Sequence, residues 1–301
     1  HADWIFNHVA MGDGLTWFSA WIGSIAYGLQ IYFDFSGYSD MAIGLAVMFA
    51  IRFPINFDSP YKALSISDFW KRWHMSLTRF FRDYLYIPLG GNRGGFWIQA
   101  RNIFLVFMIS GLWHGAGWTF VIWGALHGFY LAIHLSWKSM MRWLGWKPSG
   151  YVWTTLAWFL TMAAVMHAWV FFRSHDVASA LRMSHAMLGF DGIAIPERWA
   201  KIATTIPFAG EFIRGIPIPN PPVGWFWLCL HLVVLSVIVV ALPNSRRLYS
   251  NQREGSDQSE IQLPKMKRLG IQHGLIAGIL LTGFLYSRFS AVPSPFIYFN
   301  F

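Results

Sequence analysis

One cysteine, Cys229, serves all 301 residues, so no disulfide framework stands behind the fold. Charge is scarce as well. Asp, Glu, Lys and Arg make up 12% of the chain, against about 25% in soluble domains, which argues against a water-soluble globule. Acids are rarer than bases, 14 against 23, leaving a net charge of +9. In a nucleic-acid-binding protein that excess would cluster on a soluble module. Here the bases sit in the gaps between apolar runs, a pattern of membrane topology with no nucleic acid as partner. No internal repeat, no linker to a second soluble domain and no basic leader with a cleavage site is visible. What abounds is apolar: 55% of residues are hydrophobic, with 18 Trp and 27 Phe. Such rings suit a bilayer and its aromatic belts.

A membrane-crossing helix needs about 20 mainly apolar residues. Candidate spans are 15–33, 36–51, 96–113, 117–137, 151–172, 223–243 and 269–287. The second is short, tilted or re-entrant; the third and fourth form a hairpin around HGAG. Loop charges orient them. Segments 60–95, 138–148 and 244–268 carry six, three and six Lys/Arg and are expected in the cytosol; segment 173–222 is nearly balanced and faces outward. The C-terminus then lies outside. The fold class is an all-α, multi-span integral membrane protein.

Segment 60–95 contains SDFWKRWHMSLTRFF. Ser67 and Asp68 mark a helix start. Trp70, Trp73, Leu77, Phe80 and Phe81 recur at helical spacing, with Lys71, Arg72, Arg79 and Arg82 elsewhere. This predicts a basic amphipathic helix on the cytoplasmic membrane surface. His74 belongs to its apolar side, as a satisfied core histidine or as a site histidine facing a tunnel. The loop GGNRGG that follows is a surface turn or, with Arg93, a weak phosphate cradle.

Two polar features fall at membrane depth. YFDFSGYSD places Asp34, Ser36, Tyr38 and Asp40 between apolar runs, either in a wet external loop or lining a cavity. His114 has apolar neighbours on both sides and is flanked by Gly111, Gly115 and Gly117. The glycines fit close helix packing, since Gly111/Gly115 and Gly124/Gly128 have GxxxG spacing. They equally fit a broken helix lining a wet cavity. An imidazole in apolar surroundings favours its neutral form, which accepts a proton. His127, His134, His167, His231 and His273 are expected in core packing or backbone hydrogen bonds, and no pair has metal-site spacing.

The run DFWKRWHMSLTRFFRDYLYIPLGGNRGG, followed by SGLWHGAGWTFVIWGALHG and preceded by YFDFSGYSDMAIG, resembles the membrane-bound O-acyltransferases. It is similar in particular to their bacterial branch of alginate O-acetylation and teichoic-acid D-alanyl transfer proteins. The resemblance implies a ring of tilted helices around a central tunnel, with amphipathic cytoplasmic helices. It implies His114, in WHG, as the catalytic base and His74, in RWH, as the second histidine. Trp113 joins Asp34, Ser36, Tyr38 and Asp40 as candidate tunnel-lining groups, and Arg72, Arg79 and Arg93 as candidate donor-binding groups. No cofactor or metal is expected; acetyl-CoA or an acyl-carrier thioester is the donor substrate. The lipid bilayer of the bacterial inner membrane and a periplasmic SGNH-type acetyltransferase are the expected partners. One transmembrane domain covers 1–301, with further N-terminal spans expected upstream. The tail, FIYFNF, resembles a C-terminal motif in the small membrane partner of the D-alanyl transferase system, which makes Tyr298 a candidate acyl relay or an interfacial anchor. Rival classes are a transporter subunit with a gating histidine and a structural scaffold.

Overall fold

The computed structural model describes residues 2–11, 15–190, 194–197, 199, 201, 214–216 and 224–245. These are helical almost throughout, apart from a parallel pairing of β1 (Ala194–Pro196) with β2 (Arg214–Ile216). The long elements are α2 (Trp17–Met48), α5 (Gly95–His114), α6 (Trp118–Trp143), α7 (Tyr151–Arg173) and α9 (Trp225–Ala241). Of these α5, α6 and α7 are long and apolar enough to cross a membrane. Shorter helices are α1 (Ala2–Met11), α3 (Ile66–Trp70), α4 (Met75–Phe81) and α8 (Val177–Met187). The expected span 269–287, His273 and Tyr298 lie outside the described residues.

Helix α2 corrects the sequence reading, which divided it into spans 15–33 and 36–51. Thr16 and Ser19 cap its start reciprocally: the Ser19 amide donates to Thr16 Oγ1 at 3.1 Å, and the Thr16 amide to Ser19 Oγ at 3.0 Å. The polar stretch 32–40 then continues the same helix, because it contains no proline and one glycine costs only about 1 kcal/mol. At about 1.5 Å per residue, 32 residues reach about 48 Å, more than a bilayer core.

Helix α1 meets α8 and the C-terminal end of α7. Arg173 pairs with Asp3, Arg182 donates to the Val9 carbonyl at 3.2 Å, and Trp21 Nε1 to the Met187 carbonyl at 3.0 Å.

Segment 56–74 departs from the expected surface helix. In the stretch expected to form that helix, Lys71, Arg79 and Arg82 do face outward and Phe80 is exposed, but Trp70 and Trp73 are buried in the protein. Tyr61, Phe69, Trp70 and Trp73 belong to the core. Tyr61 donates to the Gly28 carbonyl of α2 at 2.5 Å and accepts, through its own carbonyl, from Trp158 of α7 at 2.8 Å. Beyond the end of α9, Lys62 Nζ donates to the Leu242 carbonyl at 2.6 Å. The helix start is Ser65, whose hydroxyl accepts the Asp68 amide, not Ser67. Nor is the helix continuous: α3 ends at Trp70 and α4 begins at Met75.

Helices α5 and α6 form the expected hairpin. A Cβ on Gly124 would lie 2.2 Å from the Phe107 carbonyl oxygen, and one on Gly111 2.3 Å from that of Phe120. The packing role of these glycines and the chain reversal beside His114 therefore coexist.

Candidate functional site

His114 is the last residue of α5. The extended Gly115 follows, and α6 starts at Trp118. The imidazole meets Trp123 and Phe172 edge-on, with ring centroids 5.2 and 5.1 Å away. His74 sits in the break between α3 and α4, with φ 42° and ψ 55°. A non-glycine residue held left-handed is strained, and such strain concentrates at functional sites. Its ring packs edge-on against Phe35 at 4.8 Å, and its buried Nδ1 has no partner among the described residues. Burial lowers the His74 pKa to about 4, so the ring is neutral near pH 7.

The two histidines, forty residues apart in sequence, line one small pocket. Trp70, Trp73, Trp123, Trp169 and Phe172 supply its aromatic walls. Aromatic walls exclude water and sharpen electrostatics inside.

The other sequence-derived candidates lie elsewhere. Asp34 and Ser36 are half-buried along α2, and Tyr38 and Asp40 are exposed on its C-terminal half. None is among the pocket's walls, because one helix carries them past it rather than looping into it. Trp113 is 59% exposed and also outside the walls. Arg72 is engaged with Asp68, Nε to Oδ1 at 2.9 Å. Arg79 and Arg93 are exposed. In the GGNRGG loop the amides of Gly90, Gly91 and Arg93 already donate to backbone carbonyls, and Asn102 Nδ2 closes the loop onto Leu89 and Gly91 carbonyls at 3.0 and 3.2 Å. That is the bonding of a surface turn. Among the described residues no three His, Cys, Asp or Glu side chains converge to hold a metal.

Sequence reasoning missed two side-chain pairs. Trp70 Nε1 donates to Nδ1 of the fully buried His127 at 3.3 Å, and Tyr130 pairs with His167 Nδ1 at 2.9 Å. It also missed Asn56, which braces the His74 break. His231 does bond a backbone carbonyl, that of Trp227, at 2.7 Å.

Fold and site together define a predominantly helical membrane protein in which two histidines line one aromatic pocket. A family model described as the membrane-bound O-acyltransferase family, MBOAT, matches residues 10–172, which include both histidines. The chain belongs to that family. It is 40% identical over 290 residues to the peptidoglycan O-acetyltransferase of Helicobacter pylori, covering 95% of this chain and 50% of that protein. It is 50% identical over 171 residues to the probable alginate O-acetylase of Pseudomonas aeruginosa, 57% of this chain and 32% of that one. Similarity to the teichoic acid D-alanyltransferase of Bacillus subtilis is 34% over 142 residues, 43% and 34% of the two chains. The chain thus spans half or less of each of these relatives.

Proposed function

We propose that this chain carries the histidine site of an O-acyltransferase that moves an acetyl group from a cytosolic thioester, acetyl-CoA or an acyl carrier, to O-acetylate an exported polysaccharide. The observation that carries the reading is the shared pocket of His74 and His114. His114 takes the proton of the acceptor hydroxyl as that oxygen attacks the thioester carbonyl. The tetrahedral intermediate collapses, the C–S bond breaks, and the proton passes to the leaving thiolate. His74, neutral near pH 7, orients or polarises one reactant. A positioned base contributes roughly 10²–10⁴-fold, and holding the reactants together supplies much of the rest. The exposed bases Arg79 and Arg93 suit an anionic donor.

The names of the two O-acetylating relatives favour acetyl over D-alanyl transfer, and alginate or peptidoglycan as acceptor. Transfer onward by a periplasmic SGNH-type acetyltransferase, from a bacterial inner membrane, completes the reading. The test is mass spectrometry of surface glycans from cells with the wild-type protein, without it, and with His114→Ala. Acetyl esters should be present in the first and absent in the other two. Normal acetylation with a correctly inserted His114→Ala protein removes the proposal, and solute flux without thioester consumption replaces it with a transporter.

A further inference from the structure

We infer that Asn56 is a positioning residue that holds His74 in its left-handed conformation. The inference rests on the proposed acyl transfer for its catalytic consequence, and on hydrogen bonds for its structural one.

A non-glycine residue in the left-handed region is strained and persists only where its surroundings over-determine it. At His74 the surroundings come largely from segment 56–58. The Asp58 amide donates to the Arg72 carbonyl at 3.0 Å on one side of the histidine. The Met75 amide donates to the Asn56 carbonyl at 3.0 Å on the other. These backbone bonds are open to many sequences. The side chain of Asn56 adds what they do not: its Oδ1 accepts from the Ser76 hydroxyl at 2.5 Å and from the Ser76 amide at 3.3 Å. Two further side-chain bonds at the break, Thr78 Oγ1 to the Trp73 carbonyl and Arg72 Nη1 to the Asp58 carbonyl, are longer, each at 3.4 Å.

Helix α4 has His74 at its cap position, and His74 makes no capping bond with its side chain. An N-terminal amide of a helix needs an acceptor when water is excluded. Asn56, itself 8% exposed, supplies that acceptor from a different segment of the chain. The division of labour follows: the cap is made by Asn56, and the imidazole of His74 stays in the wall of the pocket.

Three proteins test this: wild type, Asn56→Ala and Asn56→Asp. Asp keeps an acceptor oxygen at the same reach. In steady-state acyl transfer, Asn56→Ala should lose about tenfold or more in kcat with little change in KM for the thioester, the behaviour expected of a misplaced catalytic group. Asn56→Asp should restore most of it. Hydrogen exchange read by mass spectrometry supplies an arm that needs no activity: the peptide spanning the break should exchange faster in Asn56→Ala and at the wild-type rate in Asn56→Asp. Faster exchange with an unchanged kcat overturns the positioning role while leaving the acyl-transfer reading intact. Equal losses in both variants, or unchanged exchange in Asn56→Ala, overturn the cap itself. A wild-type protein that transfers no acyl group fails the functional reading, and the exchange arm still decides the cap.

Discussion

Trp70 donates its indole N–H to Nδ1 of His127 across the seam between α3 and α6. Trp70 is a wall of the histidine pocket, and His127 is fully buried. A neutral imidazole that accepts at Nδ1 carries its proton on Nε2, and that atom has no partner among the described residues. Trp70→Phe keeps an aromatic wall and removes the donor, leaving both ring nitrogens of His127 without a hydrogen bond. The expected cost is about 1–3 kcal/mol, read as a lower melting temperature in detergent. A variant as stable as wild type would show that the bond contributes nothing.

Glycines in this chain separate into packed and open positions. A Cβ at Gly124 runs into the backbone of Phe107, which cannot swing aside, whereas one at Gly37 meets nothing within 4 Å. Gly124→Ala should force α5 and α6 apart at a cost of about 1–3 kcal/mol. Gly37→Ala should be neutral or stabilise α2 by up to about 1 kcal/mol. Thermal unfolding of the two variants side by side checks the contrast, and equal effects would contradict the hairpin packing.

Read as one crossing, with segments 60–95 and 138–148 in the cytosol as the loop charges predict, α2 would put the residues ahead of it outside, which labelling can test. After Cys229→Ser, a cysteine at the exposed Asn7 should react with an impermeant reagent from outside, and one at the exposed Ser139 only from the cytosolic side. Labelling of Asn7→Cys from the cytosol would restore two spans in place of α2.

What was legible in the sequence is instructive. An ionisable ring in an apolar run is costly enough to be conspicuous, so His114 stood out, and the glycine spacing of the α5–α6 hairpin was readable for the same local reason. The α3–α4 break was not readable, because nothing near His74 in sequence requires a left-handed residue. Its cause is Asn56, eighteen positions upstream, and tertiary bonds of that kind leave no periodic trace. Segment 60–81 misled through its period: an apolar stripe looks the same whether it meets lipid or protein. Asp34 and Asp40 misled by suggesting a loop, although side chains at the flank of a long helix reach water without interrupting it.

The burial of His74 has a pH consequence with a definite sign. Unfolded, its imidazole titrates near 6.5; folded, it stays neutral down to about 4. Between those values the unfolded state binds the extra proton, so stability falls as pH drops from about 6.5 towards 4. His74→Gln removes this one titration. Its melting temperature should therefore drop less than that of wild type on going from about pH 7 to about pH 5, by a few degrees. Parallel melting curves would mean that His74 is solvated in the folded protein.

The last expectation concerns Tyr298 in the tail FIYFNF. The loop charges predict segment 244–268 in the cytosol, so one more crossing by the apolar run 269–287 would deliver the tail to the outer face. There the Tyr298 hydroxyl has a chemical qualification that sugar hydroxyls lack: a phenol ionises near pH about 10. With His114 as base, the phenol oxygen would attack the thioester carbonyl, the thiolate would leave with the proton, and an aryl ester would form. An acceptor hydroxyl would then attack that ester and release the phenol, a covalent relay. The competing role is an anchor, since tyrosine is common at membrane interfaces. Tyr298→Phe keeps the ring and deletes only the hydroxyl, so it divides the two roles cleanly. A relay predicts loss of glycan acetylation with unchanged membrane insertion, together with an acetyl adduct on the C-terminal peptide of wild type alone. Acetylation at the wild-type rate in Tyr298→Phe would leave the residue as an anchor and assign the transfer to the acceptor hydroxyl directly.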